Sequence, residues 1–276
     1  MDVYKFGANN KSNLDDFKKG STLLLGEFEV FHKGHNELLK KARDISKNEK
    51  IGILLIENYE KKILQTLENK LDNLANLNFD FVIIAQFNFE FKSIEGNIFI
   101  RYLDENFNVK NYVVGSDFKF GKDRKFSAVD LKNITKSNVE IVDILKINEI
   151  KISSSDIKQM HEFGEYNLIS NLVINPLVFD VEIDNKVIKW DDKIVKPHFG
   201  NYYFQILIDD YWYHGLINFS INNDINYYLV NYDKNKEIFN QKSKIKILNI
   251  ERIITNNRFD KIDENDIKKT IEYFSV

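Results

Sequence analysis

The chain has 276 residues, of which 43% are hydrophobic and 29% charged, with a formal net charge of −3 and no cysteine. These values are ordinary for a globular protein of one large or two modest domains, and they exclude disulfides, thiolate metal sites and a cysteine nucleophile. Nucleic acid is not an expected partner because no long basic block is present. Neither a membrane-spanning apolar stretch nor a signal-peptide core is found, so we expect no membrane association and a cytoplasmic location.

The first 174 residues alternate apolar runs with segments of helical spacing. Residues 1–20 are polar and predict a lead-in loop or a short edge element. We predict strands at 23–25, 50–56, 79–85, 112–114 and 139–142, and helices through 38–42, over 60–77, around 98–103 and from 154 to 173. Continuous apolar strands alternating with helices are typical of a doubly wound parallel sheet, a Rossmann-like α/β fold that binds ligands beyond the carboxyl ends of its strands.

Composition changes at Asn175-Pro176. Beyond this point, short aromatic runs of alternating polarity are separated by turn residues, at 178–183, 202–208, 211–213, 227–230 and 245–254. The pattern predicts a small antiparallel barrel or sandwich closed by a helix at 264–274. We therefore expect two domains, residues 1–174 and residues 177–276.

Two of the five histidines, His32 and His35, flank Gly34 where the strand at 23–25 gives way to a helix. A glycine lets a bound group approach the backbone, and the amides of a first helical turn attract anions. A surface or capping role is the alternative for any single histidine. The pair beside a glycine favours a phosphate site.

A glycine-bracketed segment, residues 115–124, follows the strand at 112–114 directly. At the carboxyl end of a sheet, Phe118 and Phe120 are suited to lie on a planar ligand, while Arg124 pairs with a phosphate. The alternative is a turn whose two phenylalanines return to the core.

Three consecutive serines, residues 153–155, precede the helix predicted from 154. Serines at such a point commonly cap a helix. Alternatively, their hydroxyls and amides hold a polyphosphate, with Lys158 one turn further on supplying positive charge.

Taken together, the three segments resemble the adenylyltransferase half of the prokaryotic bifunctional riboflavin kinase/FMN adenylyltransferases (FAD synthetases), within the HxGH nucleotidylyltransferase superfamily. The resemblance spans residues 22–173. It rests on residues 26–35 against the pattern GxFDGxHxGH, on residues 113–121, and on residues 152–158 against ISSTxIR. The HxGH pattern alone indicates the superfamily, and the middle segment indicates FMN.

The family implies that an FMN phosphate oxygen attacks the α-phosphorus of ATP, giving FAD and pyrophosphate in the presence of Mg²⁺, whose protein ligands stay unknown. Such a step needs positioning and charge neutralisation more than a covalent nucleophile. The resemblance implies three sets of site residues: catalytic His32, His35, Ser154, Ser155 and Lys158; ATP-binding Gly26, Glu27, Phe28, Glu29 and Gly34; and FMN-binding Asp117, Phe118, Phe120 and Arg124. We expect small-molecule substrates and a monomer or weak homo-oligomer.

Several positions in this half depart from the family patterns. Glu29 stands in place of aspartate, Val30 and Phe126 in place of glycine, Ser155 in place of threonine and Lys158 in place of arginine. Lysine keeps the positive charge but loses the bidentate fork of arginine. We expect the chemistry to survive with altered affinity.

The second half resembles the riboflavin kinase barrel only in outline. Residues 197–203 are similar to its PxxGVYA segment, but nothing between 180 and 196 matches its GxPTAN signature. Asn226 falls at the position of the catalytic glutamate, and an amide cannot act as a base. We expect the kinase activity to be lost. The alternatives are a chain that is still bifunctional, a nucleotidyltransferase with another phosphate-bearing acceptor, and a non-catalytic flavin- or nucleotide-binding protein.

Overall fold

The computed structural model describes residues 1–7, 15–58, 60–143, 145–147, 150–232, 240–256 and 260–275. The chain divides into two compact units, one made of Met1–Lys61 with Lys70–Ser154 and the other of Lys62–Asn69 with Ser155–Val276. The functional boundary expected near residue 175 stays a prediction.

The first unit is built on a six-stranded parallel sheet with the order β1-β4-β3-β2-β5-β8, accompanied by two short antiparallel strand pairs, β6 with β7 and β9 with β10. Its strands are β1 (Asp2–Lys5), β2 (Ser21–Leu25), β3 (Lys50–Glu57), β4 (Phe81–Gln86), β5 (Val109–Gly115), β6 (Lys119–Phe120), β7 (Phe126–Ser127), β8 (Asn138–Val142), β9 (Lys146–Ile147) and β10 (Ile150–Lys151). Its helices are α1 (Lys33–Ile45), α2 (Leu67–Asn76), α3 (Phe89–Lys92), α4 (Gly96–Phe107) and α5 (Ala128–Ile134).

Strand β2 forms the centre of this unit, and each of its five residues is buried. An aromatic cluster packs in the core of the same unit, with the rings of Phe17 and Phe81 5.0 Å apart and those of Tyr4 and Phe107 5.6 Å apart. Aromatic pairs at such separations add to the stability that comes from burying apolar area. The sheet that positions the candidate site is therefore anchored in a well-packed core.

The order of the strands creates a topological switch point beside β2. The chain adds β3 and β4 on one side of β2 and then returns to pair β5 on the other side. The loops after β2 and β5 consequently leave the sheet in opposite directions, and the crevice between them is where open α/β sheets bind ligands.

The second unit is a six-stranded antiparallel sheet with the order β12-β11-β16-β13-β14-β15. Its strands are β11 (Phe179–Asp184), β12 (Val187–Trp190), β13 (Gly200–Ile208), β14 (Tyr211–Phe219), β15 (Ile225–Leu229) and β16 (Gln241–Ile253), and its helices are α6 (Ser154–Phe163), α7 (Tyr166–Leu172) and α8 (Glu264–Phe274). A capping box formed by Asp263 and Asp266 fixes the start of α8.

The expected fold class is confirmed: a parallel α/β sheet is followed by a curled antiparallel sheet and a C-terminal helix. The lead-in predicted for residues 1–20 contains the edge strand β1, while its residues 8–14 lie outside the described residues. The extent of the helix predicted over 60–77 is wrong, because α2 begins only at Leu67. Ile63 instead forms a parallel bridge with Ile194, its N–H donating to the Lys193 carbonyl at 2.9 Å.

Candidate active site

The loop between β2 and α1 carries both predicted histidines at the switch point. His32 is the N-cap of α1, and its Nδ1 accepts hydrogen bonds from the backbone amides of Gly34 and His35 at 3.1 and 3.3 Å. A nitrogen that accepts carries no proton, so the proton of neutral His32 lies on Nε2. The capping role that competed with catalysis in the sequence analysis is therefore present, and it fixes the tautomer of the ring.

His35 has the opposite tautomer. Its Nδ1 lies 3.0 Å from the carbonyl oxygen of Val30, so Nδ1 donates and the neutral ring keeps a lone pair on Nε2. The two imidazoles stack with their centroids 3.6 Å apart and their planes 19° apart. Both rings thus use Nδ1 for hydrogen bonds with the backbone. A role of Nε2 in ligand binding stays a prediction.

The surroundings of His35 keep it neutral without a ligand. Burial, and then the adjacent His32, hold the pKa of His35 well below 6.5, against the opposing effect of its hydrogen bond to Val30. Phe28 contributes to that burial, with its ring edge-on to His35 at 4.7 Å. A bound polyanion would raise this pKa, because an adjacent negative charge favours the protonated ring.

The predicted ATP-binding residues all lie in or beside this loop. Phe28 is buried, and a Cβ on Gly26 would lie 3.0 Å from its ring. A Cβ on Gly34 would lie 3.0 Å from the His32 ring, so a side chain there would crowd the capping imidazole. Glu27 is exposed, whereas Glu29 is half-buried and forms an ion pair with Lys70. Contact of these residues with ATP stays a prediction.

The predicted FMN segment follows β5, on the other side of the switch point. Phe118 and Phe120 stack at 5.3 Å with their planes 11° apart, and Phe120 is buried against Phe99 and Phe126. Phe120 therefore belongs to the core, as the alternative interpretation had it, and it supports the partly buried Phe118. The direct contact of either ring with FMN stays a prediction.

The polar residues of this segment are exposed. The carboxylate of Asp117 pairs with the ammonium of Lys151 on β10, which precedes the serine segment. Arg124 is exposed and has a φ of 55°, directly after Asp123 with a φ of 56°. Successive left-handed residues also occur in two hairpin turns of the second unit, at Asn185–Lys186 and Asp209–Asp210, so this backbone conformation indicates a tight turn and not by itself a functional site.

The phenylalanine that departs from the family pattern is accommodated by a glycine elsewhere. A Cβ on Gly96, at the start of α4, would lie 2.5 Å from the ring of Phe126. Gly121 has a φ of 72° and approaches the Gly96 backbone so closely that a Cβ on it would lie 2.8 Å from the Gly96 nitrogen. The bulk of Phe126 is thus offset by the missing side chain at Gly96.

The serine segment spans the division between the units. Ser154 begins α6, and its hydroxyl is buried without a hydrogen-bond partner among the described residues. Ser155 is exposed, and the ammonium of Lys158 donates to the Lys62 carbonyl at 2.7 Å within the second unit. An orphaned buried hydroxyl needs an explanation, and a ligand at the start of α6 supplies one. Convergence of these side chains with the histidines stays a prediction.

Two charged residues that the sequence analysis did not single out support the histidine loop. Lys70 is 5% exposed, and its Nζ lies 3.0 Å from Glu57 Oε1 and 3.2 Å from Glu29 Oε2. A signal was available, since Lys70 falls on the apolar stripe of α2 with Leu67 and Leu74. Glu57 likewise ends an apolar strand, at the carboxyl edge of the sheet.

In the second unit, Asn226 is part of a chain of polar side chains. Asn226 donates to Asn218 at 3.4 Å, Asn218 donates to Asn201 at 2.8 Å, and Asn201 donates to Asp266 at 2.9 Å. Arg252 closes the chain with two hydrogen bonds to Asp266, at 2.9 and 2.7 Å. The position expected for a catalytic glutamate therefore holds an exposed amide at the end of this chain.

Across the described residues, no group of three or more histidines, aspartates and glutamates is arranged to hold a metal ion. Within the same part of the chain, no helix is both long enough and apolar enough to cross a membrane.

Comparison with known proteins identifies relatives of the first half and of the fold. A family model described as FAD synthetase matches residues 14–156, slightly more than half of the chain. The bifunctional riboflavin kinase/FMN adenylyltransferase of Buchnera aphidicola subsp. Schizaphis graminum is 30% identical over 180 residues, 59% of this chain and 58% of that protein. The FAD synthetase of Listeria monocytogenes is 26% identical over 199 residues, 67% of this chain and 80% of that protein.

The chain spans less than two thirds of the length of the Buchnera relatives. A crystal structure of a macrolide-efflux protein from Streptococcus pneumoniae matches with a TM-score of 0.83 over 99% of this chain and 98% of that chain. Its sequence is 21% identical, so the likeness concerns the fold alone.

Proposed function

The chain belongs to the FAD synthetase family, and from this premise we propose that it is an FMN adenylyltransferase that converts ATP and FMN into FAD and pyrophosphate. The observation that carries the proposal is the stacked histidine pair at the switch point of the sheet, with the aromatic segment after β5 on the other side. A pair of imidazoles at a helix start is suited to a polyphosphate, and a supported aromatic face is suited to a flavin ring.

In the proposed reaction, an oxygen of the FMN phosphate forms a bond to the α-phosphorus of ATP. The bond from that phosphorus to the bridging oxygen breaks, and pyrophosphate leaves with the electron pair. The Nε2–H of His32 donates to a phosphate oxygen. His35 takes up a proton when the triphosphate binds, and its Nε2–H then also donates as charge develops at phosphorus.

The remaining site residues have supporting roles in this proposal. Ser154, Ser155 and Lys158 hold the leaving pyrophosphate, and the buried hydroxyl of Ser154 gains a partner when it is bound. Asp117, Phe118, Phe120 and Arg124 place FMN. Mg²⁺ accompanies ATP in this proposal, and no protein ligand is assigned to it.

We propose further that residues 1–174 carry the adenylyl transfer and that the barrel of residues 177–276 has lost riboflavin kinase activity. The support is the amide of Asn226, which is hydrogen-bonded to Asn218 and cannot accept the proton of a riboflavin hydroxyl. In this proposal the protein acts in the cytoplasm, as a monomer or weak homo-oligomer, and without nucleic acid. Light scattering tests the oligomeric state, and cell fractionation tests the location.

One incubation series tests these proposals. The protein is given Mg²⁺ and ATP with either riboflavin or FMN, and the flavins are separated by chromatography. We expect FAD from FMN and no FMN from riboflavin. FMN formed from riboflavin would establish a bifunctional enzyme, and FMN binding without pyrophosphate release would favour a non-catalytic flavin-binding protein. Pyrophosphate released only with another phosphate-bearing acceptor would redirect the assignment to that acceptor.

A further inference from the structure

A cluster of three charges lies at the carboxyl edge of the parallel sheet. The ammonium of Lys70, on α2, contacts Glu57 at the end of β3 and Glu29 in the histidine loop. Lys70 and Glu57 are 5% and 2% exposed, and Glu29 is 23% exposed. These three residues form the buried charge cluster.

Lys70 contacts two carboxylates, although one is enough to pair its ammonium. A buried ammonium is costly unless it is paired, and Glu57 alone neutralises Lys70. Glu29 adds a second carboxylate contact to the same ammonium, which neutralisation of Lys70 does not require. The Lys70–Glu57 pair therefore accounts for burial, and the contact between Lys70 and Glu29 calls for a separate explanation.

Glu29 connects the cluster to the imidazoles through one residue. Its neighbours Phe28 and Val30 are buried at 4% and 2% exposure, so the loop alternates between core contacts and the ion pair. The carbonyl of Val30 accepts the hydrogen bond from Nδ1 of His35. A displacement of Glu29 would therefore displace the acceptor that fixes the tautomer of His35.

We propose that Lys70 is a positioning residue for the paired imidazoles: by holding Glu29 it fixes the Val30 carbonyl, and this carbonyl orients His35. Lys70 acts through the loop and is given no contact with substrate. The structural part of this inference stands on the contacts in the first unit, while its catalytic consequence rests on the proposed function.

The test reads the tautomer of His35 in the full chain without substrate. ¹⁵N chemical shifts of the imidazole nitrogens distinguish a ring protonated on Nδ1 from one protonated on Nε2. We expect Nδ1–H in the parent protein, and a shift toward Nε2–H in Lys70→Met and Glu29→Gln. The double variant should shift no further than either single variant, because both changes break the same contact.

Two controls separate positioning from stability. Lys92→Met removes a lysine of the same unit that pairs with Glu60 on the surface, and it should leave the His35 signals and the FAD rate unchanged. Glu57→Gln removes the buried partner of Lys70, so it should lower the melting temperature while the His35 tautomer persists. Glu29→Gln, at a half-buried loop position, tests the proposal even if Lys70→Met fails to fold.

Enzyme activity provides a second measurement, independent of the tautomer of His35. In Lys70→Met and Glu29→Gln we expect kcat for FAD formation to fall about a hundredfold with KM for FMN unchanged, since a misplacement of about 1 Å is enough for such a loss. Parental ¹⁵N shifts in Glu29→Gln would overturn the positioning role. A parent protein that makes no FAD would refute the proposed function, while the tautomer shift would still decide the role of Lys70.

Discussion

The histidine loop of the parallel sheet and the amide chain of the antiparallel sheet differ in the partners of their polar side chains. In the loop, His32 and His35 both use Nδ1 for hydrogen bonds with the backbone, and the proposed function uses Nε2 of each ring for the phosphates. In the amide chain, Asn226 and Asn218 each donate to the next side chain, and the chain ends at Asp266. The imidazoles are thus oriented by the backbone, whereas the amides are oriented by one another and by Asp266.

The largest expected effect comes from replacing the two histidines of the loop. We expect His32→Ala and His35→Ala each to lower the rate of FAD formation about a thousandfold, because each removes a donor to the reacting phosphates. His32→Asn keeps an N-cap acceptor and should retain stability without restoring the rate. Rates come from chromatography of the flavins and folding from circular dichroism.

The matched control is His198→Ala, because His198 is an exposed histidine of the second unit, and its rate should stay within about twofold of the parent. A double His32/His35 alanine variant that makes FAD at the parental rate would remove the site assignment.

Asp266→Asn should have the reverse profile, with a large loss of stability and no loss of chemistry. Asp266 is 1% exposed and accepts from Arg252, Asn201 and the Asp263 amide. Breaking such a buried pair should lower the free energy of unfolding by about 4 kcal/mol, and unfolding in urea measures this loss. Asp184→Asn removes only a surface pair with Lys189 and should cost less than about 1 kcal/mol. A reduced FAD rate in folded Asp266→Asn would break the contrast.

His161 offers a structural histidine against which His35 can be judged. Its Nε2 donates to the Val195 carbonyl and its Nδ1 accepts from the Tyr166 hydroxyl, each at 2.7 Å. Burial lowers the pKa of His161 from 6.5 to about 4, despite the opposing bond to Val195. The unfolded chain therefore binds the proton first, and stability present above pH 6.5 is lost as the pH falls toward 4.

We expect the parent to lose about 3 kcal/mol more unfolding free energy than His161→Gln between pH 7 and pH 4. Urea unfolding at several pH values measures the difference. Equal slopes for the two proteins would mean that His161 takes up its proton in the folded state.

The glycine beneath Phe126 should give a moderate effect confined to the first unit. Gly96→Ala places a methyl group 2.5 Å from the ring, and overpacking of this kind costs about 2 kcal/mol. In a protein that already carries Phe126→Ala, adding Gly96→Ala should cost much less than about 2 kcal/mol, because the ring that the methyl group would meet is gone. If the two changes add without recovery in thermal unfolding, the ring and the glycine are not coupled.

The smallest expected effect is the uptake of a proton by His35 when ATP binds. Because the pKa of His35 lies well below 6.5 without ligand and would rise beside a triphosphate, binding should take up as much as one proton near neutral pH. ATP affinity should then increase by at most about tenfold per unit as the pH falls between the two pKa values. Calorimetry in buffers of different ionisation enthalpy counts the protons taken up on binding. His161→Gln should leave this number unchanged.

The sequence predicted the parts that depend on local pattern. The unbroken apolar run of β2 and the spacing after Gly34 indicated the strand, the loop and α1. The helix predicted over 60–77 is wrong in its extent because Ile63 forms a parallel bridge with Ile194, which lies 131 positions further along the chain. The contact between Lys70 and Glu29 was missed for a similar reason, since 41 residues separate them and local periodicity carries no information about such pairs.

Because Phe126 fits over Gly96, the predicted FMN segment and the start of α4 can be exchanged with a relative only together. A chimera that imports a segment with glycine at 126 while keeping Gly96 would leave a void where the ring lies. Importing a side chain at 96 while keeping Phe126 would produce a clash. Engineering of acceptor preference in this protein should therefore transplant both stretches together, although 30 positions separate them along the chain.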